Sequence, residues 1–227
     1  MRDLVIVGAG GFARETAAAV AAINEVTPTW RLRGFLDDNE ALHGRCPYLD
    51  VPVLDCVEAA GEMQAEVVVC VGNPHDYAAR MRIVRRLALP PDRYATIVHP
   101  SAHVPAGCVV GHGSVLLAQV VLTAQVRVGA HVSVMPQVVL THNDVVEEYA
   151  TVASGVRLGG AVRVARGAYL GAGALVRESV TIGAWSQIGL GTVVLRDVPA
   201  GQVWAGNPAR YLRPATSSDL PLGSNNR

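Results

Sequence analysis

Aromatic residues are scarce in this chain, at 5% of 227 residues, and charged ones make up only 17%. A core must therefore be assembled from Val, Leu, Ile and Ala instead of rings. Nineteen basic and nineteen acidic residues cancel, so no basic stripe recommends a nucleic acid or an anionic membrane surface as partner. No apolar run approaches the roughly 18 residues that span a bilayer. The short run in "MRDLVIVGAGG" is followed by a glycine turn and not by a signal-peptide cleavage pattern. Cys46, Cys56, Cys70 and Cys108 show no C-x-x-C or other metal spacing, which points away from a zinc site and a disulfide framework. The expectation is a cytoplasmic protein with free thiols and no bound metal.

What is present falls into two regimes. The first hundred residues alternate strand and helix signals. "LVIVGAG" (4–10) is a buried-strand run ending in glycines, and "GFARETAAAVAAIN" (11–24) an alanine-rich helix whose Phe12, Ala19 and Ile23 face a sheet. "RLRGFLDDN" (31–39) and "AEVVVCVGN" (65–73) read as further strands, the latter apolar enough to be central in a parallel sheet. "HDYAARMRIVRRLAL" (75–89) is an amphipathic helix halted by Pro90 and Pro91, and "YATIVHP" (94–100) a final strand or linker. This alternation predicts a small Rossmann-like domain over residues 1–97.

From Val98 the period becomes six. Val98, Val104, Val110, Leu116, Leu122, Val128, Val134, Leu140, Val146, Val152, Leu158, Val164, Leu170, Val176, Ile182, Ile188 and Val194 are all branched aliphatics in unbroken phase. Four positions after each stands a small or branched residue such as Ala102, Cys108, Ser114 or Ala150, and glycine often follows the aliphatic directly. Helices need a period near 3.6 and flat antiparallel strands a period of 2. The sixfold count predicts a hexapeptide-repeat parallel β-helix over residues 98–212. The polar stretch 213–227 reads as a flexible tail.

"VGAGGFARE", "GFLDDN", "VGNPHDYAARM", the hexad array, His142 and the ending "VWAGNPARYL" together resemble the sialic-acid O-acetyltransferase and bacillosamine-pathway sugar acyltransferases, over residues 4 to 213. The resemblance implies a left-handed β-helix, a homotrimer, and acetyl-CoA bound between neighbouring helices. It implies that Gly10, Gly11, Phe12, Asp37, Asp38 and Gly72 contact a nucleotide-linked sugar, although Phe12 stands where relatives commonly carry histidine. From the residues alone, "GAGG" is also compatible with a dinucleotide site or a purely structural turn.

His142 is the candidate general base, and the rival is a polar loop corner. In the family the next residue is usually acidic; here it is Asn143, which orients an imidazole but cannot stabilise its cation by charge. Asp144 occupies a position that other hexads give to small residues, and a carboxylate there needs a partner. Either Asp144 supplies the displaced acid, or the base is less activated. A second family histidine, which contacts acetyl-CoA, is replaced by Thr151. Ala172 and Leu190 match main-chain contacts to the cofactor, and Arg210 meets either a CoA phosphate or only its own C-terminal segment. "GGAV" at 159–162 offers close backbone approach for an oxyanion donor. An amino-sugar acceptor is favoured over a hydroxyl; a non-catalytic trimeric nucleotide-binding scaffold is the reading of a different class. His103, His112 and His131 fall at different hexad positions, so no aligned histidine column is expected.

Overall fold

A computed structural model describes residues 1–215. The N-terminal domain contains β1 (Arg2–Val7), α1 (Gly11–Val26), β2 (Trp30–Leu36), β3 (Val53–Asp55), β4 (Glu66–Val69) and α2 (Ala79–Leu87). Its four strands are parallel in the order β3-β2-β1-β4, the order of a Rossmann half, so the crevice at the C-terminal ends of β1 and β4 is its topological switch point. The alanine run of α1 suits a helix; Phe12, Ala13, Thr16, Ala17, Ala19 and Val20 form its buried face. The chain reverses out of α2 through Ala88 in a left-handed conformation, ahead of Pro90 and Pro91. The short edge strand β3 carries no pattern strong enough to announce itself in sequence.

The predicted final segment has a different role. Ile97–Val98 (β5) pairs with Val115–Leu116 and so is the first strand of the β-helix. The boundary expected at 97/98 thus falls inside one strand. From there the chain winds as a left-handed parallel β-helix with three faces. The first face contains β5, Val115–Leu116, Ser133–Val134, Thr151–Val152, Tyr169–Leu170 and Gln187–Ile188; the second starts at Val121–Leu122 and the third at Val109–Val110. Three hexads make one coil: Ser133 pairs with Val115 and Thr151 with Ser133, each eighteen residues on. The hexad aliphatics from Leu116 onward are buried, and Val98, Val104 and Val110 pack against them at the open end. The array is closed by an antiparallel pair, Gln202–Ala205 with Arg210–Pro214. Arg213 and Pro214 therefore belong to a strand and not to the tail expected from 213; residues 216–227 lie outside the described residues. Among the described residues no helix is long and apolar enough to cross a membrane.

Two corner rules hold the coils together. The third residue after each aliphatic from Val104 to Ile188 takes a left-handed conformation, whether glycine (Gly113, Gly173) or not (Gln125, Asn143, Tyr149). The glycine directly after the aliphatic is there for space: a Cβ on Gly159 would lie 2.6 Å from the Glu178 amide of the next coil. The fourth position points inward, and two of its buried polar occupants, Ser114 and Asp144, tie coil to coil. Ser114 Oγ accepts from the Val132 amide at 2.9 Å and donates to the Gly129 carbonyl at 2.8 Å. Asp144 accepts from the Thr141 amide at 2.7 Å and the Val162 amide at 2.8 Å. Burial pushes the Asp144 carboxyl up to about 7, against the pull of those two amides and of nearby His142.

The N-terminal domain lies on the first face. Leu4, Ile6, Phe12 and Ala17 share one core with Ile97, Val115 and Leu117. Tyr77 donates its hydroxyl to the Trp185 carbonyl at 2.8 Å. Arg80 is 2% exposed and reaches across the junction, donating to Ser133 Oγ (2.6 Å), Thr151 Oγ1 (2.9 Å) and the carbonyls of Tyr149 (2.9 Å) and Ala150 (3.0 Å). Burial lowers its pKa to about 10, so it remains a cation at neutral pH. Beside it, His131 stacks on Tyr149 at 5.4 Å and meets His112 edge-on at 5.1 Å. Those two histidines stand at different hexad positions and meet as a pair, because consecutive coil corners bring adjacent positions into contact. Burial drops the His131 pKa to about 4, so it packs as a neutral ring.

Two outcomes follow for stability. Arg80→Met strands buried carbonyls and is expected to cost about 3 kcal/mol, read as a lowered thermal midpoint; a loss below about 1 kcal/mol would show that the junction is held elsewhere. The folded-state pKa of Asp144 lies above its unfolded value of about 3.9. Its contribution is therefore complete below that value and is lost as pH rises to about 7. Asp144→Ser, which copies Ser114, should flatten this decline when thermal midpoints at pH 5 and pH 8 are compared at one protein concentration. An unchanged slope would assign the decline to other groups.

Candidate active site

His142 lies at the corner between the second and third faces. Its ring is exposed and lies over Gly160 of the next coil, where a Cβ would sit 2.4 Å from both Cε1 and Nε2. Only glycine admits the ring in this seat. The amides flanking Gly160 are spent on the coil ladder, Gly159 donating to Val176 and Ala161 to His142. The Gly160 amide takes no part in that ladder. His142 Nδ1 is 3.0 Å from Asn143 Oδ1, and Asn143 Nδ2 donates to Gln125 Oε1 at 2.9 Å. With Asn143 accepting, the ring proton sits on Nδ1 and leaves Nε2 as the acceptor. Asn143 has φ of 64°, a conformation that asparagine tolerates better than most side chains. Beside it runs a groove of about 520 Å³ lined by Gly107, Gln125, Arg127, Asn143 and Val145.

Asp144 does not hydrogen-bond to the imidazole; both of its oxygens are on backbone amides. The orienting contact on the imidazole belongs to Asn143.

The N-terminal candidates gather at the switch-point crevice. Gly8 has φ of 100°, which only glycine adopts readily. Gly10 caps α1, and a Cβ on Gly10 or Gly11 would meet nothing within 4 Å. Neither glycine is required by its neighbours, so the space before the α1 N-terminus stays open. Asp37 accepts from the Ala9 amide at 2.9 Å and the Asn39 amide at 3.0 Å, pinning the glycine turn. Asp38 accepts from the Val57 amide at 3.1 Å and from Arg86 at 2.7 Å. Burial raises its pKa, but these two partners outweigh it and leave the carboxyl below its ordinary range. Both acids thus serve the loops first.

Phe12 and Gly72 line a cavity of about 150 Å³ with Arg80, Thr151, Ser154 and Ala172. Thr151 is buried with its hydroxyl on Arg80, and Ala172 is half-buried at the corner between the first and second faces. Leu190 stands one coil further along that corner, 78% exposed. Arg210 lines a separate groove of about 390 Å³ with Leu195, Arg196, Pro208 and Ala209. The chain therefore brings Phe12, Gly72, Thr151 and Ala172 together, and His142, Asn143 and Gly160 together, but sets the two groups at different corners. Among the described residues no three His, Cys, Asp or Glu side chains gather as a metal-binding group. Sequence pattern overlooked Arg80 and Gln125, and it named the 159–162 stretch as a backbone donor without showing that Gly160 seats the His142 ring. A step of eighteen residues from Asn143 or His142, the length of a coil, would have found Gln125 and that seat.

Comparisons with known proteins agree with this architecture. Residues 3–87 match the PglD N-terminal domain. The acetyltransferase domain of PglB from Neisseria gonorrhoeae, solved with acetyl coenzyme A, is 27% identical with a TM-score of 0.82, covering 93% of this chain and 99% of that one. A histidine-to-asparagine variant of perosamine N-acetyltransferase from Caulobacter crescentus, solved with CoA and GDP-perosamine, is 26% identical with a TM-score of 0.81, covering 92% and 96%. GDP-perosamine N-acetyltransferase of Escherichia coli O157:H7 is 27% identical over 94% of this chain and 97% of its own. Serine acetyltransferase 2 of Arabidopsis thaliana matches at 28% over 55% of this chain, which spans only about a third (34%) of that relative's length. With residues 3–87 matching the PglD N-terminal domain, this coil array beyond them, and likeness over more than nine-tenths of its length to sugar acetyltransferases, the chain is similar to the hexapeptide-repeat sugar acyltransferases.

Proposed function

We propose that the protein transfers an acetyl group from acetyl-CoA to the amino group of a nucleotide-linked sugar, directly and in a ternary complex, with His142 as general base. The observation that carries this reading is the state of the ring: Nδ1 faces Asn143 while Nε2 lies free over Gly160. Nε2 takes the proton from the amine as nitrogen attacks the thioester carbonyl. The unengaged Gly160 amide is suited to donate to the oxyanion that forms. The tetrahedral intermediate collapses with release of CoA thiolate, so no cysteine nucleophile is needed. The amino-sugar acceptor follows the relatives, whose names specify GDP-perosamine N-acetylation. The open glycine turn at Gly10 and Gly11, at the α1 N-terminus, suits the sugar nucleotide's diphosphate. Ala172 and Leu190, which share an outer corner, are the residues this reading gives to CoA. Both substrates being cytoplasmic metabolites, we place the enzyme in the cytoplasm.

The working unit in this reading is a homotrimer. The N-terminal domain covers the first face and its flanking corners, through Tyr77 with Trp185 and Phe12 beside Ala172. His142 occupies the vertex opposite that face, out of reach of its own nucleotide turn. On the uncovered second face the outward side chains of Val121, Val139, Leu175 and Val193 form an apolar strip interrupted by Arg157. A neighbouring copy would bury that strip and bring its own substrate-laden crevice to His142.

Acetyl-CoA-dependent thiol release with a panel of GDP-, UDP- and dTDP-linked amino sugars tests the reaction, and one of them should turn over. His142→Ala should lower kcat by about 10²–10⁴ while sedimentation still reports a trimer. Turnover near that of the wild type in this variant would rule out His142 as the base. Nucleotide binding without turnover on any amino or hydroxy sugar would favour a scaffold.

A further inference from the structure

Gln125 is one coil below Asn143, in the same left-handed corner position, with φ of 56°. Glycine fills this position at Gly107, just below, and at Gly113, Gly155, Gly167, Gly173 and Gly191, so a long side chain here accepts a backbone conformation that glycine would adopt freely. Gln125 is exposed and lines the same groove as Asn143. Its side-chain oxygen receives Asn143 Nδ2 at 2.9 Å. In this arrangement the Asn143 NH₂ points down to Gln125 and its oxygen up to His142 Nδ1 at 3.0 Å.

The direction matters because a neutral imidazole has two tautomers. Free in water it prefers the proton on Nε2, the wrong arrangement for a base that acts through Nε2. An acceptor at Nδ1 reverses the preference. Asparagine alone is indifferent, since it can offer either its oxygen or its NH₂ to the ring. We propose that Gln125 is a positioning residue for the acetyl transfer: by accepting from Asn143 it turns the Asn143 oxygen towards His142 and holds the ring proton on Nδ1. The side chain acts in place of a carboxylate next to the histidine and works two residues removed from the ring, through a stacked column. This rests on His142 being the base, but the tautomer can be read without turnover.

The column elsewhere provides the control. Gln137 Nε2 donates to Gln119 Oε1 at 3.2 Å at the corner between the first and second faces, where no histidine follows. Such glutamine stacking is therefore available as a purely structural contact, and Gln119→Ala removes it without touching His142.

The test uses full-length protein labelled with ¹⁵N-histidine, the His142 ring signals being assigned by their loss in His142→Ala. At a pH where the ring is neutral, the wild type should show Nδ1 protonated. Gln125→Ala should shift the population towards Nε2–H and lower kcat about tenfold with KM unchanged, part of the full contribution of a general base. Gln125→Glu, which can only accept, should keep Nδ1–H and restore kcat. Gln119→Ala should leave both tautomer and kcat as in the wild type. A wild-type ring already protonated on Nε2, a tautomer unmoved in Gln125→Ala, or equal effects from Gln119→Ala would overturn the proposal. Full turnover in His142→Ala would instead remove the reading on which it rests, while the tautomer result would stand.

Discussion

Everything in this molecule depends on the chain returning to the same corner after eighteen residues. Each coil then presents its amides and carbonyls to the next in parallel register, and each corner position becomes a column. The inward columns hold branched aliphatics and small residues, which lets a core form with almost no aromatic rings. The outward columns are unusually exact carriers of chemistry, because no loop intervenes between a side chain and its neighbour above or below. His142 over Gly160, Asn143 over Gln125, and Asp144 bonded to the Val162 amide are three instances of one geometric rule.

The prism also explains how labour is divided. Covering the first face places Phe12 and Gly72 beside Thr151 and Ala172 and leaves the opposite vertex bare. Arg80 secures this arrangement from inside, a buried cation of the N-terminal domain spent on hydroxyls and carbonyls of the β-helix instead of on a carboxylate. A base on the bare vertex is of use to a substrate held by another copy, so catalysis and assembly are one requirement in this reading. The apolar strip on the second face is the complementary surface for it.

Much of this was legible in sequence, for a physical reason. The hexad aliphatics keep phase because each packs on its counterpart in the next coil, so the periodicity that stabilises the fold is also the one that can be counted. The glycine turn after β1 and the existence of β4 were readable for the same kind of reason, since a parallel strand buried on both faces tolerates little else. The central place expected of β4 is wrong, because it stands at the end of the order β3-β2-β1-β4 and owes its apolar run to burial of both faces. Side-chain partners were not legible. Asp144 looked like a displaced partner for His142, yet two backbone amides were already waiting at that inward corner. Asn143 looked like a loss of charge, whereas it occupies a left-handed corner that asparagine fits. Asp37 and Asp38 looked like contacts to a nucleotide-linked sugar and are engaged first by the Ala9 and Val57 amides. Arg80 looked like one more polar residue of an amphipathic helix, because nothing in a local window announces that a guanidinium will cross a domain junction.

The claim on which the account turns is that the base of one copy serves the substrate crevice of another. Coexpressed chains carrying either His142→Ala or a blocked glycine turn, such as Gly11→Trp, test it most directly. Each variant alone should be inactive. Mixed trimers, isolated with two affinity tags, should regain acetyl transfer, since an intact His142 from one copy then faces an intact crevice from the other. Mixed trimers as inactive as their parents would show that each copy builds its site alone and would contradict the account.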